Sequence, residues 1–115
     1  MNTEMKTLAQ LADRFREPRQ DRRQMIGVYR RHAVRAVAEE RWAAAGIFLD
    51  RILEVDPRHT EAWLMKGHLY RHCLGNTEAA LSCYRKVIVL GAYDTSHPHV
   101  RRAQQSLEQL LKRLA

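Results

Sequence analysis

The chain repeats itself at a spacing of 34 to 35 residues, and this repeat constrains the fold more than any other feature. Tyr29 and Trp63 are 34 apart, as are Ala33 and Gly67, whereas Ala45 and Ala80, like Leu49 and Tyr84, are 35 apart. Self-similarity at such a period is the mark of a stacked array of one supersecondary unit. The step from 34 to 35 puts one extra residue in the second copy, near Leu74-Gly75. Within each copy, apolar residues recur at helical spacing in two blocks, so the unit is a helix pair. Ala33 and Gly67 on the first helix of each pair, and Ala45 and Ala80 on the second, are small enough for close crossing. Tyr29, Phe48, Trp63, Tyr70 and Tyr84 fill the flanks.

Six helices follow from the pattern. Asn2 to Arg16 carries Met5, Leu8, Leu11, Ala12 and Phe15 on one face. A second runs from Pro18 or Asp21 to Ala38, with Met25, Val28, Tyr29, Ala33 and Val37 as its apolar stripe. Glu39, Glu40 and Arg41 turn the chain into a third helix, Arg41 to Val55. Asp56-Pro57 stops it, because proline lacks an amide hydrogen and disfavours helix before it. Thr60 caps the fourth, in which Trp63, Gly67, Tyr70 and Leu74 line one side, and Gly75-Asn76 closes it. The fifth covers Thr77 to Leu90. The last starts near Pro98, capped by Thr95 or Ser96, with Val100, Ala103, Leu107, Leu110, Leu111 and Leu114 as its stripe. The expected layout is one domain: 1–20 an N-terminal helix and basic linker, 21–58 and 59–94 the two repeats, 95–115 a C-terminal capping helix.

The charge is the next constraint. The net charge is +7, with 20 basic residues against 13 acidic. Such a field favours acidic partners: protein tails, phosphates or nucleic acid. Arg14, Arg16, Arg19, Arg22 and Arg23 cluster around Pro18, and Arg30, Arg31 and Arg35 extend the cluster. The plain reading is a solvated surface partly paired with Glu17 and Asp21. The functional one is a track for phosphates. Cys73 and Cys83 are too few for a disulfide framework and lack metal-ligand spacing, which fits reduced thiols and a cytoplasmic setting. The N-terminus lacks a signal-peptide apolar core, and no apolar run is long enough to span a membrane.

These residues resemble the tetratricopeptide repeat family. Its signature is W-x2-L-G-x2-Y, then A-x3-F, then P. The second copy reads Trp63-x2-Lys66-Gly67-x2-Tyr70, then Ala80-x3-Tyr84. The first reads Tyr29-x2-His32-Ala33-x2-Ala36, then Ala45-x3-Leu49, then Pro57. The similarity covers Met25 to Gly91. His32 and Lys66 stand where the signature has Leu, Ala36 stands where it has Tyr, and the second copy has no closing proline. The resemblance implies an all-α superhelix of two hairpins with flanking helices. It also implies a concave groove, lined by the first helix of each pair, that grips a peptide or a helix of a partner. Carried onto this chain, the groove residues are Arg30, Val34 and Val37 from the first copy, and Leu64, His68, Arg71 and His72 from the second. The family's clamp for a C-terminal carboxylate is not expected here: Val34 occupies a place the clamp gives to Asn, and no third repeat is visible.

Two repeats bury little core alone, and about three are usually needed. The flanking helices are therefore expected to be part of the domain, the last as a cap. The first could cap the other end, lie in the groove or pair with another subunit. His68 and His72 are four apart on a helix, and His97 and His99 flank Pro98, but neither pair has a third ligand nearby, so no metal is expected. No cofactor is expected either. The chain has no P-loop, dinucleotide turn, G-x-S-x-G or H-E-x-x-H, and the reading is a non-enzymatic protein-binding module: an adaptor, assembly factor or co-chaperone-like protein. Two alternatives stay open, a regulatory protein touching nucleic acid through its Arg-rich face and a self-associating scaffold.

Overall fold

The computed structural model describes residues 18–114 and, isolated ahead of them, Leu8. The helix expected over Asn2 to Arg16, and with it Arg14 and Arg16, lies outside the described residues. The side chain of Arg19 does too, although its backbone opens the first described helix.

The fold is all-α. The helices are α1 Pro18–Ala38, α2 Trp42–Val55, α3 Thr60–His68, α4 Thr77–Leu90 and α5 Pro98–Leu114, with a π-helical turn, Leu69–Cys73, continuing α3. Among the described residues there is no strand. Each helix packs on the next: α1 on α2, α2 on α3, α3 on α4 and α4 on α5. α1, α3 and α5 are also tied side to side. Arg30 of α1 forms an ion pair with Glu61 of α3, Thr60 Oγ1 lies 2.9 Å from His99 Nδ1, and Arg71 Nη2 donates to Gln109 Oε1 at 3.2 Å. The result is two antiparallel hairpins, α1–α2 and α3–α4, with α5 as a fifth layer element. No described helix is long and apolar enough to cross a membrane.

The core falls into two clusters that meet in α3. Ala33, Ala36, Ala45, Leu49, Ile52, Ala62 and Leu69 form one. Leu64, Ala80, Tyr84, Val87, Ile88, Val100, Ala103 and Leu110 form the other. Tyr84, Leu49, Ile52, Val87 and Val100 are fully buried, each contributing about 1.5–3 kcal/mol of transfer free energy. The small residues of the repeat sit at the crossings. Ala33, Ala45 and Ala80 have no exposed surface, and a Cβ on Gly67 would come 2.6 Å from the Tyr84 ring. The two polar residues in the signature's apolar place find partners. His32 stacks on Phe48 at 4.9 Å, and Lys66 Nζ pairs with Asp50 Oδ1 at 2.8 Å while facing Trp63 and Tyr70.

Several local expectations are corrected. The extra residue of the second copy is absorbed at Leu69–Cys73, not at Leu74-Gly75: Leu74 N–H bonds to Leu69 O, one residue further back than in an α-helix. A one-residue insertion in a helix is accommodated in just this way. Leu74 is exposed in consequence and does not line the core. On α1 the buried stripe is Ala33 and Ala36, with Ile26 and Tyr29 packed against them, whereas Met25, Val28 and Val37 are exposed. The helix caps differ as well. His59, not Thr60, caps α3, its Nδ1 accepting from Ala62 N–H at 3.1 Å. His97 does the same for His99 N–H at the start of α5, while Ser96 donates instead to Asp94 Oδ1. At Gly91 a Cβ would overlap Val100 Cγ2, so the turn into α5 requires glycine; Ala92 and Tyr93 follow it with positive φ.

Candidate functional site

The residues expected to line the groove divide three ways. Val34 and Val37 are exposed on α1, with 45% of Val34 open to solvent. Leu64 is not available to a partner: only 8% of it is exposed, because it points into the core against α4 and α5. Arg30 is already engaged by Glu61, whose carboxyl is held below its ordinary value by that hydrogen bond, with burial opposing. Of the basic cluster, Arg22 and Arg23 are exposed on α1.

His68, Arg71 and His72 are brought together, and the surface they meet is α5. They lie on one side of the end of α3 and its π turn. Arg102, Gln105, Ser106 and Gln109 of α5 face them across a cleft of about 180 Å³. The four α5 residues recur at i, i+3, i+4 and i+7, so they form one helical stripe. A neighbouring stripe, Val100, Ala103 and Leu110, anchors the helix in the core cluster around α4. The π turn matters on the other wall. Arg71 and His72 lie within it, so its wider winding, and not that of a regular helix, carries their side chains.

His68 Nδ1 and the hydroxyl of the buried Tyr84 are 2.8 Å apart, with the rings edge to face. Burial pushes the Tyr84 phenol up, opposed by the neighbouring Arg71 and Ser106 side chains. His68 is pushed down to about 4, by burial first and then by the charges of Arg102, His72 and Arg71. His72 is lowered too, by burial and by Arg71, Arg113 and Arg102. The fixed charges that lower these two histidines are those of Arg71, Arg102 and Arg113. No Asp or Glu lines the cleft, and among the described residues Arg71 and Arg102 form no salt bridge. Arg71 Nε is buried without a hydrogen-bond partner.

Sequence reasoning found one wall of this cleft and missed the other. The stripe Arg102, Gln105, Ser106 and Gln109 was not singled out in the sequence, because a capping helix gives no reason to aim polar residues at α3. A second cleft, of about 300 Å³, is lined by His32, Arg35, Glu39 and Arg41, but there Glu39 pairs with both arginines. His68 and His72 have ring centroids 5.9 Å apart and His97 and His99 5.1 Å, and no group of three or more His, Cys, Asp or Glu among the described residues is placed to hold a metal ion. Cys83 is buried, its thiol raised by that burial, and Cys73 is half-buried. No known protein family, no curated protein and no solved structure matches the chain.

Proposed function

We propose that the chain is a partner-binding module of the tetratricopeptide type, an adaptor or assembly factor that holds a segment of another protein along α1, α3 and α5. The observation that carries this reading is the cleft between the π turn and α5, where two guanidinium groups converge beside two histidines with no acidic residue to balance them. A fold maintains unbalanced charge at a cost, and a partner that supplies the missing anion recovers it. The exposed Val34 and Val37 on α1 offer apolar contact on a neighbouring element. The repeat spacing and the signature residues supply the family part of the proposal.

The test is affinity capture from the native cell with three forms of the full chain. The wild type is expected to retain a partner in fixed ratio, Arg102→Glu to lose it, and Arg85→Glu, an exposed charge reversal on α4, to keep it. Retention by Arg102→Glu equal to that of the wild type would contradict the reading.

A further inference from the structure

The chemistry of the cleft is more specific than a general preference for acidic partners. Two guanidinium groups, Arg71 and Arg102, share it with His68 and His72, and Ser106, Gln105 and Gln109 add a hydroxyl and two carboxamides. A single carboxylate carries one negative charge and two oxygens, which leaves a cation uncompensated and several donors idle. A phosphomonoester carries about −1.5 to −2 at pH 7 and three strong acceptor oxygens. Arginine forks match that geometry bidentately. The volume of about 180 Å³ holds one such group and not the run of a nucleic-acid strand. Two further observations point the same way. Arg71 Nε is buried with no acceptor, although Nη2 of the same side chain is fixed by Gln109. Arg71 and Arg102 face the cleft from its two walls with no carboxylate between them, so a bound dianion would relieve the repulsion between the two guanidinium groups.

We propose that the cleft between the Leu69–Cys73 turn and α5 is a site for a single phosphomonoester group, held by Arg71 and Arg102. This rests on the partner-binding reading for its biological setting, but the site is testable without it. The full chain would be titrated with inorganic phosphate, with a short peptide carrying one phosphoserine, and with the same peptide carrying glutamate, all at matched ionic strength. Arginine side-chain resonances and calorimetry would report binding. Phosphate and the phosphopeptide are expected to saturate at one per chain and to shift Arg71 and Arg102. The glutamate peptide should bind at least about tenfold more weakly, because it lacks the second charge and third oxygen. Arg102 is exposed, so Arg102→Gln should fold normally and lose the site, whereas Arg85→Gln should retain it.

A phosphopeptide that binds tighter than inorganic phosphate assigns the site to a phosphorylated protein segment; equal affinities assign it to a small phosphate compound. The proposal is overturned by unsaturable shifts spread over the basic surface, by equal binding of the glutamate peptide, or by unchanged binding in Arg102→Gln. An oligonucleotide that displaces the phosphopeptide and binds tighter than it would also overturn it. Loss of partner capture in Arg102→Glu without phosphate binding would remove this inference and leave the partner-binding reading standing. Phosphate binding with capture unaffected by Arg102→Glu would do the reverse.

Discussion

Single residues decide how closely the helices approach and which charges stay neutral. Gly67 lies against the Tyr84 ring, and a methyl group there meets it at 2.6 Å. Tyr84 is fully buried and bonded to His68, so it has little room to yield. Gly67→Ala is therefore expected to destabilise the chain by about 1–3 kcal/mol, measured by urea unfolding. His68 gives a pH signature. Its folded-state value is about 4 against an ordinary 6.5, so between these limits the unfolded chain binds more protons than the folded one. Stability should fall as pH drops from near 6.5 towards 4, with up to about one proton taken up on unfolding from this group. His68→Gln should flatten that slope, although the lowered His72 and His99 will leave a remainder. An unchanged slope in the variant would show that the burial of His68 has no such consequence. The small residues were legible because close crossing admits little else. Leu64 was misread because a groove position inferred from the family carries no information about how deeply α5 covers it.

At the scale of elements, the period of the sequence was readable and its local geometry was not. A spacing that changes from 34 to 35 between Gly67 and Ala80 shows that one residue has been added, but both a loop and a helix can absorb it. The chain uses the helix, at Leu69–Cys73, and keeps the Gly75-Asn76 turn for ending one helix and capping the next. Gly75 takes φ +63, and Asn76 Oδ1 accepts from Ala79 N–H at 3.1 Å. Deleting Cys73 should restore the 34-residue spacing and let the turn relax to α-helix. Helical circular dichroism is expected to persist, and phosphate, which should raise the melting temperature of the wild type by binding the folded chain, should no longer do so, since Arg71 and His72 lie within the turn whose winding changes. Persistence of the phosphate effect would show that the π turn does not set their direction. The histidine caps at His59 and His97 were missed for a simple reason. Ser and Thr lead the preferences for that position, and each stood one residue away.

The whole molecule depends on α5 as much as on the two hairpins. Val100, Ala103 and Leu110 complete the cluster built around Tyr84 and Val87, so a chain ending at Tyr93 leaves that cluster open on one side. Such a truncation is expected to lose its cooperative thermal transition, in keeping with the need of repeat arrays for a capping element. A sharp transition in the truncated chain would show that the two hairpins are self-sufficient. The all-α layout was legible from periodicity alone, and counting repeats led to the expectation that the last helix belongs to the domain. Its second task, as one wall of a basic cleft, became visible only when its polar stripe was placed opposite Arg71. The central claim is that partners are held on the side formed by α1, α3 and α5. Amide hydrogen exchange on the chain, with and without the partner it retains, tests this most directly. New protection is expected in Leu69–Cys73 and along Pro98–Leu114, and protection confined to Trp42–Val55 and Thr77–Leu90 would contradict it.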